Sequence, residues 1–202
     1  MTDLGCGWGE LLFRAVERTP ALLGQGVDTN ELNLARGRLA AQRRGLGDRV
    51  TLSNLDVLRY TGKADRVICI GASHAWGGTD AALRALRRHV EPSGRLLFGD
   101  GFWVRNPSQA LVEMFGQLHS NAESLTVSAA RAGWRPLEVE VADMGEWDEF
   151  EKKWTRAFEV FAQQHRDLPL ATEVRTFISA RRDQYVHGYR GVLGFVYLVL
   201  QA

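Results

Sequence analysis

The segment DLGCGWG, residues 3–9, constrains the fold of this chain more than any other feature of the sequence. Its three glycines, Gly5, Gly7 and Gly9, follow a short apolar segment and precede an amphipathic one that begins near Glu10. Glycine lets the backbone turn tightly and approach a ligand, and the N–H groups at a helix start bind polar or anionic groups. The segment therefore predicts a strand, a ligand-binding turn and a helix, as in nucleotide-binding α/β sheets. Its spacing, G-x-G-x-G, differs from the G-x-G-x-x-G of pyrophosphate-binding turns and disfavours a dinucleotide.

Short apolar segments alternate with amphipathic ones up to about residue 100, which is typical of repeated strand and helix units in a parallel sheet. We predict strands at residues 23–27, 50–52, 66–70 and 95–98, and helices at 10–18, 30–44 and 79–89. Beyond them we predict helices at 108–118 and 122–132, a strand at 133–141, mostly helix over 146–187 and a strand at 192–200. The sequence thus predicts a single domain, residues 1–202, with a helical insertion at about 146–187.

The charge balance narrows the range of partners. The chain has 25 Lys and Arg against 24 Asp and Glu, a formal charge of +1, which gives no strong attraction for nucleic acids or anionic membranes. We therefore expect a small-molecule ligand, no nucleic acid, no membrane, and a monomer or homodimer. Two cysteines make no disulfide framework and the first residues resemble no secretory signal, so we expect a cytoplasmic protein. We predict no metal site.

Three acidic residues, Asp3, Asp28 and Asp56, each come at the end of a predicted strand. The carboxyl ends of parallel strands meet at one edge of a sheet, where ligands bind in this architecture. Asp28 lies ~20 residues beyond the glycine turn, where nucleotide-binding sheets place the acid that binds ribose hydroxyls. An aspartate after a strand also commonly caps a helix or stabilises a turn, and that alternative stays open for each.

The glycine turn and the three acids are features in which the chain resembles the class I S-adenosylmethionine-dependent methyltransferases, and the resemblance covers nearly its whole length. DLGCGWG is similar to the first motif of that family, and ALLGQGVDTN, VTLSNLDV, ADRVICIGASHAW and EPSGRLLFGD are similar to its later motifs in order and spacing. The resemblance implies a doubly wound, Rossmann-like α/β fold with a seven-stranded, mostly parallel sheet, whose last strand is antiparallel and lies between two others. It also implies S-adenosylmethionine as cofactor and S-adenosylhomocysteine as its product.

The same resemblance implies roles for the residues of the first motif. Asp3 and the backbone of the glycine turn would hold the amine and carboxylate of the methionine part of the cofactor. The turn residues concerned are Gly5, Cys6, Gly7 and Gly9.

The next two motifs would hold the nucleoside part of the cofactor. Asp28, with Thr29 beside it, would bind the ribose hydroxyls. Asp56 would bind the adenine amino group, with Leu55 and Val57 flanking the ring.

One departure from the family concerns the N-terminus. Only Met1 and Thr2 precede Asp3, whereas family members have a longer first strand and one or two helices before the glycine turn. We expect the natural start codon to lie upstream. A chain of this length alone would have an open cofactor site and a weak affinity, because part of the burial would be missing.

The segment GASHAW follows the fourth motif, and by the resemblance Gly71 and Ala72 would line the sulfonium and the methyl group. His74 is the best-placed titratable group, and we predict that it acts as the catalytic base, with packing or capping as the alternative. GASHAW is unlike the (Asp or Asn)-Pro-Pro-aromatic segment of amino-group methyltransferases that act on nucleic acids or glutamine. The predicted acceptor is an oxygen or nitrogen atom of a small molecule.

Aromatic residues and one arginine are the candidates for binding this acceptor, namely Trp76, Trp103, Tyr185, Tyr189 and Arg190. A second aromatic group repeats at helical spacing in the insertion, and most of it is predicted to be core: Trp147, Phe150, Trp154 and Phe158. We expect the insertion to cover the substrate.

Three other functions stay open at this point. A nicotinamide-dependent oxidoreductase is disfavoured by the glycine spacing and by Asp56. A non-catalytic module could keep the fold and bind S-adenosylmethionine without turnover. A cyclopropane-type lipid enzyme is the third, because GCGWG also occurs in such proteins by resemblance, although no basic or apolar lipid-facing segment supports it.

Overall fold

Seven strands form one sheet in the structure, a computed structural model that describes residues 1–202. In chain order they are β1 (Thr2–Leu4), β2 (Gly24–Asp28), β3 (Val50–Asn54), β4 (Ala64–Ile70), β5 (Val90–Trp103), β6 (Arg135–Val141) and β7 (Leu193–Gln201). Across the sheet their order is β3-β2-β1-β4-β5-β7-β6. The first five strands pair in parallel, whereas β7 pairs antiparallel with both β5 and β6. The predicted fold class is confirmed, including the antiparallel last strand between two others.

Helices accompany the sheet. They are α1 (Glu10–Arg18), α2 (Glu31–Arg43), α3 (Thr79–Leu86), α4 (Gln109–Phe115), α5 (Ala122–Arg131), α6 (Met144–Gln164) and α7 (Pro169–Asp183). Short 3-10 turns occur at Val57–Arg59, Ser73–Trp76 and Arg87–His89, and a π-type turn occurs at Gln184–Tyr189. One apolar cluster joins α1 and α2 to β3, and a separate, larger one joins α3 and α5 to the central strands. None of the helices is both long and apolar enough to cross a membrane.

Side-chain caps explain where two of these helices begin. The Asn30 side chain accepts a hydrogen bond from the Asn33 N–H, so Asn30 is the cap of α2 and not its first residue. Asp143 and Glu146 form a reciprocal capping box at the start of α6. The predicted helical segment 146–187 is therefore two helices and a π-type turn, with α6 beginning at Met144.

The fifth strand is longer than the sequence predicts. We predict residues 95–98, whereas β5 runs over Val90–Trp103 and pairs with β7 from Arg95 to Trp103. The extension has a physical reason, because β7 offers an antiparallel partner along this whole length and Gly99 leaves room for neighbouring side chains. A Cβ on Gly99 would lie 2.8 Å from both Ile70 and Phe195. Trp103 is consequently a buried strand residue.

A buried acid connects the two helices of the insertion to each other. Glu151 in α6 is 5% exposed and accepts hydrogen bonds from the Arg181 guanidinium at 2.7 and 2.9 Å and from the Tyr189 hydroxyl at 2.7 Å. The bonds connect α6 to α7 and to the π-type turn that leads into β7. They hold the first half of α6 in place, and residues of its first two turns line the site described next.

Candidate functional site

The glycine turn is bound to the end of β2 by its backbone. Gly5, Gly7 and Gly9 all have positive φ, between 56° and 85°, a region that disfavours residues with a side chain. The N–H groups of Gly5 and Cys6 both donate to the Val27 carbonyl, at 2.8 and 3.1 Å. The turn is thus held in a conformation that depends on glycine.

A second loop approaches this turn from the end of β4. A Cβ on Gly5 would lie only 2.4 Å from the Cβ of Ala72, whereas one on Gly7 or Gly71 would meet nothing within 4 Å. Gly71 also has a positive φ of 65°, and its N–H donates to the Gly99 carbonyl at 2.8 Å. The structure therefore brings the first motif and the GASHAW loop together, with open space beside Gly7 and Gly71.

The glycine turn, residues 5–9, and the start of the GASHAW loop, Gly71 and Ala72, together form what we call the cradle. Asp3 is a buried acid at the base of this cradle. Burial raises the pKa of its carboxyl to about 7, and the nearby charge of Asp28 adds to the effect. No protein group donates a hydrogen bond to the Asp3 side chain, although the residue is only 4% exposed. A ligand with an ammonium group would supply the missing partner. This unpaired acid beside an open glycine turn fits the methionine part of S-adenosylmethionine.

Neither cysteine is suited to act as a nucleophile. Burial raises the pKa of the Cys6 and Cys69 thiols well above their usual range, and nearby acidic groups raise it further. A thiol needs its thiolate form to attack, so both residues are packing groups in this site. Cys6 remains part of the turn that is predicted to hold the cofactor.

The two acids predicted to bind the nucleoside also accept hydrogen bonds from backbone N–H groups. Asp28 accepts from the Gly7 N–H and the Asn30 N–H, both at 2.8 Å, one on each carboxylate oxygen. Asp56 accepts from the Leu58 N–H at 2.9 Å and caps the turn Val57–Arg59. Each oxygen retains a lone pair for a ligand hydroxyl or amino group, so capping and ligand binding are compatible here.

The remaining residues of the predicted nucleoside site differ in exposure. Thr29 and Asp56 are exposed, Leu55 is half-buried, and Val57 is buried in the larger apolar cluster. Their role toward adenine and ribose stays a prediction.

A mostly apolar cavity of about 290 Å³ opens directly beside this cradle. It lies between the end of β4, the start of α6 and the middle of β7. Its lining consists of Ile70, Gly71, Ala142, Glu146, Trp147, Phe150, Phe195 and Tyr197. Gly71 belongs to both the cradle and the cavity, so the two adjoin at this residue.

Two of the lining residues are predicted to be core of the insertion. Trp154 and Phe158 do pack there, with ring centres 4.9 Å apart and both against Phe177. Trp147 and Phe150 instead line the cavity, because they come in the first two turns of α6, next to β7. Trp147 also packs on the apolar cluster of Tyr185 and Tyr189, so most of the group is core as predicted, and Phe150 is the exception.

Sequence reasoning missed other cavity residues altogether. Phe195 and Tyr197 are two residues apart in β7 and so lie on one face of the strand, a spacing visible in the sequence. Glu146 was identifiable only as a charged helix residue. No sequence signal indicates which face of β7 lies toward α6 and the cavity.

None of the five predicted acceptor-binding residues lines the cavity. Trp103, Tyr185 and Tyr189 are buried in a cluster with Leu111 and Leu193. Arg190 donates two hydrogen bonds to Asp148, each at 2.8 Å, and the Tyr185 hydroxyl donates to the same carboxylate at 2.6 Å. Tyr185 and Arg190 thus pair with Asp148 of α6, and Tyr189 pairs with Glu151 of the same helix. Trp103 packs in the apolar cluster that contains both tyrosines.

Two further residues of the GASHAW loop, His74 and Trp76, are predicted to act on the acceptor and also lie outside the cavity lining. The His74 side chain is exposed and makes no hydrogen bond with another residue, although its carbonyl accepts from the Gly77 N–H at 3.0 Å. Trp76 is half-buried against the larger apolar cluster, and its indole N–H is buried without a partner. The predicted catalytic role of His74 and the predicted acceptor contact of Trp76 stay predictions.

Known proteins resemble this chain in sequence and in structure. The model of a methyltransferase domain family matches residues 2–96. The uncharacterized protein YjhP of Escherichia coli is 27% identical over 200 residues, which are 96% of this chain and 80% of YjhP. A solved S-adenosylmethionine-dependent methyltransferase from Geobacter sulfurreducens, in complex with S-adenosylhomocysteine, is 28% identical with a TM-score of 0.83 and covers 98% of this chain and 82% of its own. The [4+2]-cyclase SpnF, 23% identical with a TM-score of 0.75 over 99% of this chain and 73% of its own, shares the fold alone.

Proposed function

We propose that this chain, which belongs by fold and domain to the class I S-adenosylmethionine-dependent methyltransferases, transfers a methyl group to an oxygen or nitrogen atom of a small molecule. S-adenosylmethionine, when bound, supplies an electrophilic methyl group on a sulfonium. The residues of this chain then have three tasks: to bind the cofactor, to orient the acceptor and to exclude water. The observation that carries the proposal is the cavity that opens at Gly71, the residue it shares with the cofactor cradle.

Cofactor binding falls to the cradle. Asp3, buried and without a hydrogen-bond donor from the protein, would pair with the amino group of the methionine part. The open space beside Gly7 would take the carboxylate, and Asp28 would bind the ribose hydroxyls. These contacts would hold the cofactor at both ends, and by the family resemblance its sulfonium would then lie near Gly71.

The acceptor would lie in the cavity. Its walls are mostly aromatic and aliphatic, so an acceptor of apolar character would displace water from them. The volume, about 290 Å³, lies at the small end of ligand pockets and favours a small molecule over a polymer. A proton that leaves the acceptor would pass to His74 or to another nearby base.

Calorimetric titration with S-adenosylhomocysteine tests the cofactor site first. We expect saturable binding with one molecule per chain, and no binding of NAD under the same conditions. Release of S-adenosylhomocysteine from S-adenosylmethionine in the presence of an acceptor panel then tests for transfer. Saturable binding without turnover of any oxygen or nitrogen acceptor would instead indicate a non-catalytic binding module, and absence of binding would contradict the proposal.

A further inference from the structure

The cavity beside Gly71 is walled by aromatic rings that meet at steep angles. Trp147 contacts Phe150 with ring centres 6.1 Å apart at 88°, and Phe195 with centres 6.5 Å apart at 77°. Phe195 in turn contacts Tyr197 at 5.1 Å. Rings set at such angles present faces in several directions, and an aromatic face attracts a cation through its quadrupole. The wall therefore suits a positively charged group better than a neutral or negative one.

The cavity has a single charged lining residue, and it is an acid. Glu146 accepts a hydrogen bond from the Asp143 N–H at 3.0 Å through one carboxylate oxygen, which fixes the side chain at the first turn of α6. The other carboxylate oxygen accepts no hydrogen bond from the protein. None of the eight lining residues is basic. The cavity thus has a fixed anionic acceptor and no basic side chain in its lining to neutralise it.

The phenol of Tyr197 responds to this negative charge. Burial raises the pKa of Tyr197, and the charges of Glu146 and Glu140 raise it further. The charge of Glu146 therefore acts on Tyr197, which also lines the cavity. A neutral Tyr197 hydroxyl can donate or accept a hydrogen bond there.

We propose that the cavity binds the methyl acceptor as a small amine, protonated when it enters, whose ammonium group pairs with Glu146 and whose apolar part packs against Trp147, Phe150 and Phe195. This inference rests on the function proposed above and names its substrate class. A carboxylate or phosphate would be repelled by Glu146, and an alcohol would lose both the ion pair and the cation–π contacts.

The transfer step follows from this placement. The bound ammonium first loses one proton to the free oxygen of Glu146, which is exposed and passes it to water. The nitrogen lone pair then forms a bond to the methyl carbon. The electron pair of the breaking C–S bond stays on sulfur, which yields S-adenosylhomocysteine and the methylated ammonium. The nitrogen thus loses one proton and gains one methyl group.

Three probes of similar shape separate an amine site from its alternatives. We would titrate 2-phenylethylamine, 2-phenylethanol and phenylacetate into the protein saturated with S-adenosylhomocysteine. The amine is expected to bind at least about tenfold more tightly than the alcohol, as for a charge-assisted hydrogen bond, and phenylacetate is expected not to bind. Transfer to the amine is then measured with S-adenosylmethionine.

Matched variants assign the preference to Glu146. Glu146→Gln keeps the helix cap, because glutamine also accepts at this position, but removes the charge. We expect it to abolish the preference for the amine and to leave the affinity for 2-phenylethanol unchanged. Glu149→Gln is the control, since Glu149 lies one turn further along α6, is exposed and pairs with Lys152 and Lys153.

A second pair of variants tests the aromatic wall. Phe150→Leu keeps an apolar side chain but removes the ring, and we expect the amine affinity to fall about threefold to tenfold. Phe177→Leu is its control, because Phe177 is exposed to a similar extent, 48% against 53%, and packs on Trp154 and Phe158 outside the cavity.

The outcomes separate this inference from the function on which it rests. If S-adenosylhomocysteine binds but the amine binds no better than the alcohol, or not at all, the amine proposal is overturned while the cofactor site stands. If Glu146→Gln weakens S-adenosylhomocysteine itself, Glu146 faces the cofactor and the proposal is again overturned. Failure of the wild-type protein to bind S-adenosylhomocysteine rejects the proposed function and this inference with it.

Discussion

Asp28 combines two roles in a single side chain. Its carboxylate fixes the Gly7 and Asn30 N–H groups and still has lone pairs for ribose hydroxyls. We predict that Asp28→Ala weakens S-adenosylhomocysteine binding by about 1–3 kcal/mol, because partners of the removed carboxylate are left unpaired. Calorimetric titration measures this loss, and an unchanged affinity would reject the ribose assignment.

His74 offers a sharper test of catalysis, because it contributes nothing visible to the fold. The side chain is exposed and makes no hydrogen bond with the protein. If it accepts the proton of the acceptor, His74→Ala should lower kcat by about 10²-fold or more and leave the affinity for S-adenosylhomocysteine unchanged. A variant that retains full turnover shows that the proton leaves by another group, which is the outcome expected if Glu146 accepts it as proposed above.

Individual residues of the cradle could be predicted from the sequence, whereas those of the cavity could not. Asp3, Gly5 and Asp28 belong to one continuous motif or stand at a fixed distance from it, so local spacing identifies them. Glu146 and Tyr197 line one cavity only because α6 packs close to β7 near the end of β4, with β5 between the two strands. Such a meeting depends on tertiary packing, which no local pattern in one sequence encodes.

At the scale of elements, the contact between the glycine turn and the loop after β4 sets a steric limit. Alanine at Gly5 would place its Cβ 2.4 Å from that of Ala72, whereas at Gly7 it would meet nothing within 4 Å. Both positions have positive φ and so share the backbone strain of about 1–2 kcal/mol. We predict that Gly5→Ala lowers the free energy of unfolding by about 1–3 kcal/mol more than Gly7→Ala does. Urea unfolding of the two variants checks this; equal losses would mean that the loops separate freely.

The pairing of α6 with α7 depends on Glu151 in the same way. Removing its carboxylate leaves Arg181 and the Tyr189 hydroxyl without their partner in a largely buried place. We predict that Glu151→Ala destabilises the protein by about 2–4 kcal/mol. Glu149→Ala, which removes an exposed acid from the same helix, should change stability by less than about 1 kcal/mol. Thermal unfolding compares the two, and similar melting temperatures would show that the buried network contributes little.

Element boundaries show where sequence patterns succeed and fail. The helix after the glycine turn begins and ends where its apolar spacing predicts, because that spacing and its flanking residues are local. The fifth strand extends from the predicted 95–98 to Val90–Trp103, because its length is set by a partner about 100 residues later in the chain. Residues 99–103 therefore read as a loop in the sequence and form a strand in the structure.

For the whole molecule, Asp3 links pH to stability and to cofactor binding with opposite signs. Its folded pKa, about 7, lies above the unfolded value of 3.8, so the unfolded chain binds fewer protons between these values. This group therefore lowers the stability of the cofactor-free protein as pH rises from about 4 to about 7. Binding of an ammonium group needs the ionised carboxylate, so affinity for S-adenosylhomocysteine should rise over about pH 6–8 with release of one proton.

The variant Asp3→Asn isolates this linkage from all other titrating groups. We expect it to be about 1–3 kcal/mol more stable than the wild type at pH 8 without ligand, because a buried charge is removed. It should also lose most of its affinity for S-adenosylhomocysteine and all of the pH dependence of binding. Urea unfolding and calorimetry in two buffers measure both effects, with the exposed Asp48→Asn as control. A destabilised Asp3→Asn would contradict the assignment.

The position of β7 also has a consequence for synthesis on the ribosome. β7 lies between β5 and β6 although it follows β6 by about 50 residues in the chain, so neither neighbour can complete its hydrogen bonding until β7 emerges. The cofactor cradle, built from β1 to β4, is translated far earlier. A nascent chain could thus recognise its cofactor while the cavity wall formed by Phe195 and Tyr197 still lies inside the exit tunnel, and the acceptor site would close last.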